Sequence, residues 1–581
     1  MDKNFFIAIL LSLVIIILYS SPQYQKRFGR GLPISPKTET TAGDSLQTTD
    51  SRRPTAPTAP IVTNKREETV TSPDETPEAE TETAEKTPLQ INIPETENPV
   101  ILENSDVKVT ISPRGAAITG VILTKFNGVN EDERVYMVKE GESWYDGYIV
   151  DGDFALALDR LVFSSQSENG RKAVLTAELS GNMSITREFT LDDSGYLIQT
   201  STRLTGAWDD PVLHTSWHGP INETEIPYKA LRIWPFSMMM RDDRYAYQKL
   251  VYLGDGNRKT IVNGDEKTKS GGKRIFPKED HGQKIDARKS GSGEDTFDGD
   301  LDWYAVRNKY FISVAIPDDK MHWSAHSTYS STGKEKWFDF TLTKRISDGS
   351  ADLDIYTGPI SYDILKGYGR DLTEAMELSF RFIRPISILF LWLFKKLHTF
   401  ISNWGIVIIL FSLIIKVVLY PLSKTSYDSM RRMSSLQPQI NLLKEKYKNN
   451  PQMLQKATME LYKKEGVNPF SSCLPTLLQL PVFLALYPVV GRAFELRQAM
   501  FIPHWIEDLS RPDPFYILPI AMGISMFFQS KTTMKDPNQK PMLYIMPVMM
   551  VILFANFSSG LTLYWFLFNI TSYLQQTIHR S

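Results

Sequence analysis

The sequence has almost no cysteine, since Cys473 is the only one among 581 residues. One cysteine cannot form an internal disulfide and is too few for a cysteine-based metal site. A strong charge of one sign is also missing: the formal net charge is −2, which argues against a nucleic-acid-binding protein with a broad basic face. The chain has no P-loop, nucleophile elbow or dinucleotide-binding fingerprint. We therefore expect no enzymatic activity, no catalytic residues, no metal, no cofactor and no nucleic-acid substrate.

Two pairs of histidines have the i, i+4 spacing that would place both side chains on one face of a helix. They are His214 with His218, and His322 with His326. Both pairs lie in sequence typical of β-strands, where residues four apart are separated by about 13 Å. The spacing therefore does not indicate a metal site, and we expect these histidines to be exposed or hydrogen-bonded.

The N-terminal part of the chain is an apolar run followed by a long polar segment. Residues 1–22 hold a run of signal-peptide length without a clear A-x-A cleavage site, so we favour an uncleaved transmembrane anchor over the alternative of a cleaved signal peptide. Residues 23–97 are rich in Thr, Pro, Glu and Ser, and no aromatic residue occurs between Phe28 and Phe126. Such a segment buries too little apolar surface to offset chain entropy, which predicts a disordered linker.

Residues 98–365 consist of short β-type runs separated by turn residues. Examples that alternate apolar and polar residues are "DVKVTIS", "KAVLTAEL", "SITREFTL" and "YLIQTSTRL". Alternation is typical of strands with one buried face, and the regular spacing of the runs predicts one large antiparallel β-sandwich. The stretch 254–300 is polar and rich in Gly and Lys, so we expect a long loop or insertion there.

The C-terminal segment 403–577 is strongly apolar and predicts five transmembrane spans. Each is about long enough to cross a bilayer at a rise of about 1.5 Å per residue. The spans cover 403–422, 469–489, 515–531, 541–557 and 561–577. No span interior contains Asp or Glu.

The distribution of charge between the spans predicts their orientation. The segment 423–468 has nine basic and four acidic side chains, and the positive-inside rule places it in the cytoplasm together with the C-terminus. Residues 98–365 then lie on the outer side. A crossing by the apolar and basic segment 380–400 would reverse one of these placements, so we expect an amphipathic helix at the outer interface.

The predicted cytoplasmic segment 423–468 contains two apolar stripes of helical spacing, separated by "NNP". This pattern predicts a helical hairpin, with Pro451 well placed at the start of its second helix. Two interpretations remain open: a solvated basic hairpin that rests on lipid headgroups, and a docking surface for a ribosome, a targeting factor or a nascent chain. The charge alone favours the first.

One cation interrupts the first of the five spans. Lys416 lies in the run "LIIKVV", where a charge costs at least a few kcal/mol on insertion scales and usually marks function. The alternative is snorkelling, in which the ammonium extends towards the nearby cytoplasmic interface. No acidic side chain within the spans is available to neutralise it.

Other polar and aromatic side chains occur at compatible depths in the spans. They are Ser412, Gln479, Asn569 and Thr571, followed by Ser572, with Tyr564 and Trp565 nearer the outer end of the last span. Each could simply join two helices or lie at a membrane interface. Together they permit a polar, water-filled groove between helices, which would suit transient reception of an acidic, polar segment. Proton relay is not expected, because it needs titrating carboxylates or histidines in sequence.

Four stretches of the chain resemble one known family. They are "NWGIVIILFSLIIKVVLYPLSKTSYDSMRRMSSLQPQI", "LYKKEGVNPFSSCLPTLLQLPVFLALY", "FELRQAMFIPHWIEDLSRPDPFYILPIAMGISMFFQ" and "SSGLTLYWFLFNITSYLQQ". These look like the YidC membrane protein insertases, relatives of the mitochondrial Oxa and chloroplast Alb insertases, over about 380–577. The anchor, linker and β domain resemble the Gram-negative form, whose periplasmic β-supersandwich is similar to sugar mutarotases. A shared fold does not establish sugar binding.

The resemblance implies a membrane protein insertase and chaperone of the bacterial inner membrane, with the β domain in the periplasm. Its clients would be nascent membrane proteins, received in a groove open to cytoplasm and lipid, alone or with the Sec translocon. The family's groove cation falls on Lys416 and its groove polar positions on Ser412 and Gln479. Its aromatic client contact falls on Trp565, beside Tyr564. The family usually has arginine where this chain has lysine, which keeps the charge but loses the guanidinium fork.

Two other functions remain as alternatives. A secondary transporter predicts repeated halves and several coupled charges near the midplane, and the sequence has neither. A non-catalytic scaffold for envelope assembly would use the β domain to hold its partners.

Overall fold

A computed structural model of the protein shows a β domain followed by packed helices. The structure describes residues 98–128, 133–138, 143–222, 224–225, 248–254, 257–261, 291–318, 323–332, 335–347, 349–379, 382–467, 474–533 and 540–578. The predicted anchor 1–22 and linker 23–97 lie outside the described residues, and so does His322.

The β domain has nineteen strands in the described residues, and their pairings are antiparallel. They are β1 Val100–Glu103, β2 Val107–Ser112, β3 Ala117–Asn127, β4 Arg134–Val138, β5 Trp144–Asp151, β6 Phe154–Ala157, β7 Ser164–Glu168, β8 Lys172–Leu179, β9 Met183–Leu191, β10 Leu197–Thr205, β11 Val212–His218, β12 Lys249–Gly254, β13 Asn257–Ile261, β14 Gly291–Asp298, β15 Leu301–Arg307, β16 Phe311–Pro317, β17 Trp323–Thr332, β18 Glu335–Arg345 and β19 Ser350–Pro359. One sheet has the order β1-β2-β3-β5-β11-β18-β17-β14, with β4 beside β3 and β6 beside β5. The other has the order β13-β12-β15-β16-β19-β10-β9-β8-β7.

The strands form where apolar and polar residues alternate. In β9 the buried residues from Ile185 onwards are every second one, and β10 pairs with β9 on one side and β19 on the other. The runs quoted from the sequence fall on β2, β8, β9 and β10. The predicted sandwich of two antiparallel sheets is therefore confirmed.

The two sheets enclose a core rich in aromatic rings. The ring centroids of Trp144 and Trp217 are 4.3 Å apart, and Trp217 stacks on Phe340 at 5.5 Å. Tyr252 stacks on Tyr304 at 5.0 Å. Aromatic side chains bury large apolar areas and gain further from ring contacts. This packing provides the cohesion of a domain whose sequence has no disulfide.

The predicted loop over 254–300 is wrong at both ends, because β13 and β14 lie inside that range. Each of these strands is the last of its sheet. From Ser292 to Asp298, no side chain of β14 is buried, and its backbone pairs with β17. A polar edge strand is held by its backbone ladder, and its polar side chains discourage edge-to-edge association. Such strands lack apolar alternation, so their sequence does not predict them.

Ten α-helices follow the β sequence in the described residues. They are α1 Tyr362–Tyr368, α2 Arg384–His398, α3 Trp404–Val418, α4 Tyr420–Ser435, α5 Gln437–Lys446, α6 Pro451–Lys464, α7 Leu474–Arg492, α8 Ile517–Thr533, α9 Lys540–Phe554 and α10 Ser559–Ile578. Within this described set, no helix is both long enough and apolar enough to cross a membrane.

Close packing brings α3, α7 and α10 together. Gly560, at the start of α10, lies where a Cβ atom would come 2.5 Å from Val490 Cγ1 and 2.9 Å from Ile408 Cδ1. Small residues at helix contacts allow backbones to approach in this way. Helix α2 also packs on α3, where the ring centroid of Phe394 is 4.6 Å from that of Phe411. These contacts place the polar side chains of α3, α7 and α10 in one interior.

The segment predicted as a hairpin contains α5 and α6. The second of these begins at Pro451, as the sequence predicts, and the Asn450 side chain accepts a hydrogen bond from the Met453 backbone amide at 3.1 Å. Leu436 and Ile440 form a small apolar cluster with Val467. The two helices therefore pack through a minor core of their own.

The β domain is joined to the helices by hydrogen bonds and ion pairs. Arg497, which follows α7, donates through Nε to Glu225 at 2.6 Å and through Nη2 to the carbonyl of Asn127 at 2.8 Å. Tyr310 OH lies 2.6 Å from Ser510 Oγ. Buried, charge-assisted contacts of this kind have strict geometry. They fix the segment between α7 and α8 against the β domain.

Replacing Gly147 tests the packing of the β domain. A Cβ atom at Gly147 would lie 1.8 Å from the carbonyl oxygen of His214 on the paired strand. We expect Gly147→Ala to lower the free energy of unfolding by about 3 kcal/mol, because two backbones must separate. The matched control is Gly367→Ala in α1, where nothing lies within 4 Å of the added atom. Denaturant unfolding followed by tryptophan fluorescence measures both, and equal stabilities would refute the close approach.

The two histidines of β11 make different contacts in the same sheet. His218 lies between two carboxylates, 3.1 Å from Asp146 and 3.2 Å from Asp339. Hydrogen bonds to Asp146 and then to Asp339 raise the pKa of His218 to about 10. His214 instead stacks on Tyr148 with ring centroids 4.2 Å apart, and burial lowers its pKa. His218 therefore acts as a cationic link between β5, β11 and β18.

The raised pKa of His218 predicts a pH-dependent contribution to stability. The folded-state pKa of about 10 lies above an unfolded value of about 6.5. The contribution is therefore complete below pH 6.5 and is lost as the pH rises towards 10. We expect His218→Gln to destabilise the protein most at pH 6 and hardly at pH 10, in denaturant titrations against the exposed-site control His326→Gln. A loss that stays constant over this range would contradict the link.

Candidate functional site

The buried end of Lys416 is the centre of the candidate site. Lys416 lies in the last turn of α3, and only 8% of it is exposed. Its Nζ donates to Ser572 Oγ of α10 at 2.6 Å and lies 4.2 Å from the centroid of the Phe568 ring. Phe568 and Ser572 are four residues apart and so share one face of α10. The cation is held by a hydroxyl and an aromatic face on a single neighbouring helix.

The ammonium of Lys416 keeps unused donor capacity. A lysine ammonium has three N–H donors, and the structure gives this one a single hydroxyl acceptor. In the described part of the chain, no carboxylate pairs with Lys416. The ring of Phe568 attracts a cation by about 0.5–2 kcal/mol. The site therefore holds a positive charge that is stabilised without being neutralised, and it can attract an acidic group.

Two further predicted residues, Ser412 and Gln479, lie on the helices around Lys416. Ser412 is buried one turn before Lys416, and its Oγ donates to the Ile408 carbonyl of the same helix at 2.7 Å. Gln479 Nε2 of α7 donates to Tyr564 OH of α10 at 2.8 Å. The Gln479–Tyr564 pair joins α7 to α10, as the Lys416–Ser572 pair joins α3 to α10. Helix α10 is thus the wall that both polar pairs share.

Trp565 and Asn569 contact other neighbours of α10. Trp565 packs edge-on against Phe483 of α7, with ring centroids 5.1 Å apart, and its ring lies 5.3 Å from that of Phe554 in α9. Asn569 Nδ2 lies 3.3 Å from Ser525 Oγ of α8. These two predicted residues therefore hold α10 against α7, α8 and α9.

The structure separates Thr571 from the residues around Lys416. Thr571 Oγ1 donates to the Leu567 carbonyl of its own helix at 2.8 Å, whereas the next residue, Ser572, accepts from Lys416. Phe568 is absent from the residues that the sequence indicates, because one aromatic residue in an apolar helix gives no signal. The i, i+4 spacing of Tyr564, Phe568 and Ser572 on one face could have identified it.

Comparison with known proteins assigns the chain to a family. Residues 100–393 match the model of the YidC periplasmic domain, and residues 396–581 match the model of the 60Kd inner membrane protein family. The chain belongs to the YidC membrane protein insertase family. The membrane protein insertase YidC of Francisella philomiragia is 35% identical over 433 residues, which are 72% of this chain and 72% of the relative.

Two further YidC proteins are similar to the chain. The membrane protein insertase YidC of Coxiella burnetii is 39% identical over 284 residues, which are 47% of this chain and 50% of the relative. A solved structure of an active YidC insertase has 17% sequence identity and a TM-score of 0.35, and covers 84% of this chain and 94% of that chain. Membership of the YidC family confirms the resemblance inferred from the four stretches. It also identifies an inner-membrane protein with an all-β periplasmic domain.

Two adjacent hydroxyls offer a matched test of the contact at Lys416. Ser572→Ala removes the only hydrogen-bond acceptor that the structure gives the buried ammonium, so we expect a loss of about 1.5–3 kcal/mol in the free energy of unfolding. Thr571→Ala removes a bond within one helix, and we expect a change below about 0.5 kcal/mol. Denaturant titration in detergent micelles measures both. Equal effects of the two substitutions would show that Ser572 does not hold Lys416.

Proposed function

We propose that this protein inserts nascent membrane proteins into the bacterial inner membrane, and that Lys416 receives the polar, acidic tail of a client. The observation that carries the proposal is the buried ammonium of Lys416, whose partners on α10 are a hydroxyl and an aromatic ring. Insertion changes no covalent bond. A site that binds and releases a charged segment is sufficient for it.

Client entry would require the polar pairs on α10 to separate. In the structure these pairs are closed, with Lys416 8% and Gln479 4% exposed. A carboxylate forms a stronger, charge-assisted hydrogen bond with an ammonium than a neutral hydroxyl does. The acidic tail of a client would therefore displace Ser572 from Lys416, and the contact would form again after the tail leaves. By this exchange, the predicted water-filled groove would open when a client binds and close when the client leaves.

The apolar segment of the client would then pass along the aromatic residues of α10. Tyr564, Trp565 and Phe568 lie within little more than one turn of that helix, and Trp565 and Phe568 are only partly buried. Aromatic and flexible apolar surfaces tolerate varied partners. The free-energy barrier to crossing is lower for a polar tail that meets water and one positive charge than for a tail that meets only hydrocarbon. The lowered barrier is the benefit of keeping a cation at this depth.

We further propose that the helical part crosses the membrane five times, at 403–422, 469–489, 515–531, 541–557 and 561–577. Helical backbone continues from α3 through Leu419 into α4, which makes the helical path at the first of these spans longer than α3. Helices α7 and α10 have 19 and 20 residues. The basic excess of 423–468 supports a cytoplasmic position for α4, α5 and α6.

The interfacial position of α2 and the partners of the cytoplasmic helices are also proposals. Trp392 of α2 is exposed, while Phe394 packs on α3, as expected for a helix lying at a membrane surface. Leu442 is 66% and Met459 51% exposed on α5 and α6. Exposed apolar side chains on a basic hairpin favour docking of a ribosome or targeting factor over a purely solvated surface. The Sec translocon as partner rests on the family resemblance.

Substitution of Lys416 tests the electrostatic step. In proteoliposomes, we expect Lys416→Ala to slow insertion of a client with an acidic tail about tenfold, the effect of raising a barrier by about 1.4 kcal/mol. Lys416→Arg keeps the charge and should retain most of the activity. Protease protection of the client tail measures insertion.

A matched client with Asn and Gln in place of the tail acids provides the control. Its insertion should differ little between the wild type and the alanine variant, because it carries no charge for Lys416 to attract. If the alanine variant inserts the acidic client at the wild-type rate, the electrostatic role of Lys416 is wrong.

A further inference from the structure

A second buried cation, Arg187, lies in the β domain. Arg187 is the central residue of β9, and its side chain points between the two sheets, with Ile185 and Phe189 on either side along the strand. None of its surface is exposed. An arginine in the interior of a sandwich is unusual, because arginine is almost never fully buried unless it is paired.

The protein supplies Arg187 with few partners. Its Nη1 donates to the Gly115 carbonyl at 2.9 Å, and its guanidinium carbon lies 4.1 Å from the centroid of the Tyr145 ring. Its Nε and Nη2 atoms have no acceptor in the described part of the chain. No carboxylate there pairs with it either. Most of the donors of this guanidinium therefore lack a protein partner.

A neighbouring hydroxyl also lacks a partner. Thr202 on β10 is directly opposite Arg187 in the strand register, is fully buried, and its Oγ1 makes no hydrogen bond in the described residues. Across the sheet, Thr202 is in turn paired with Ala351 of β19, which has a small side chain. From the other sheet, the Gly115 carbonyl and the Tyr145 ring contact the guanidinium of Arg187. The unsatisfied donors of Arg187 and Thr202 thus belong to directly paired residues of two neighbouring strands.

The chemistry of the missing partner follows from the donors. A guanidinium has five N–H groups and no acceptor, so its partner must accept hydrogen bonds. Arginine also keeps its charge at any relevant pH and cannot be neutralised by losing a proton. A buried, uncompensated charge costs more than one aromatic face returns. A water molecule would accept a hydrogen bond without cancelling the charge, whereas an anion does both.

We propose that the β domain binds a small inorganic anion of halide size between its sheets, held by Nε and Nη2 of Arg187 and by the hydroxyl of Thr202. The ligand completes the core of a domain that has no disulfide. This site is separate from the Lys416 site and carries no part of the insertion step. Its existence is therefore independent of the proposed function.

Hydrogen exchange of the full-length protein in detergent micelles tests the proposal. Exchange is compared in sodium chloride, sodium bromide and sodium gluconate at equal ionic strength, because gluconate is too large for the site. A ligand that binds only the folded state slows exchange by a factor of 1 + [L]/Kd, or about tenfold when chloride is at ten times its Kd. We expect this slowing in peptides covering 183–205, with chloride and bromide alike, and no change in peptides of α3. Equal exchange in chloride and gluconate would overturn the proposal.

Variants localise the effect. Arg187→Met should abolish the response to chloride, while Arg203→Met, which changes an exposed arginine on β10, should leave it intact. If Arg187→Met does not fold, Thr202→Val removes one donor and keeps the cation, and it should weaken the response. A chloride response that persists unchanged in Thr202→Val or Arg187→Met would contradict the assignment. In crystals grown with bromide, an anomalous peak at Arg187 supports the site, and its absence excludes the halide.

Discussion

The helical part of the structure depends on the way it accommodates the charge of Lys416. Both partners of the ammonium, Ser572 Oγ at 2.6 Å and the Phe568 ring at 4.2 Å, belong to α10. The position of α10 against α3 therefore decides whether a buried cation is stabilised. Gly560 allows α10 to approach α3 and α7, and the Gln479–Tyr564 hydrogen bond ties α10 to α7. The packing of α3, α7 and α10 therefore determines the chemistry around Lys416, and in the proposed mechanism the charge left there attracts the client.

Lys416 and Arg187 show two solutions to the burial of a positive charge. Lysine is a compact charge on a flexible stem with three rotatable donors. Arginine presents a rigid fork and suits a fixed partner with matching geometry. Lys416 lies between helices that would separate in the proposed mechanism, whereas Arg187 lies between the two sheets of the β core. The contacts of Arg497 with Glu225 and Asn127 join the two regions, so the β domain holds the segment between α7 and α8 in place.

Much of the β fold and part of the site can be predicted from the sequence. Alternation reveals β9 and β10, because each buries one face, but it does not reveal β14, whose side chains are not buried. Lys416 is conspicuous because a charge in an apolar run is rare. Its partner Ser572 is 156 residues away, and the choice between Ser572 and Thr571 depends on the rotation of α10, which only tertiary packing sets. The sequence does not identify Phe568 for the same reason, since its role depends on its distance from Lys416 on another helix.

The most direct measurement of the central claim is photo-crosslinking from α10 to a stalled nascent client. A benzoylphenylalanine at position 568 keeps an aromatic ring beside Lys416, and the same residue at position 528, exposed on α8, provides the comparison. We expect crosslinks from position 568 to the acidic tail of an arrested client, their loss once the client is released into the membrane, and few crosslinks from position 528. Equally strong crosslinks from both positions would contradict this role of Lys416. So would the absence of crosslinks from position 568 if the client is nevertheless inserted normally.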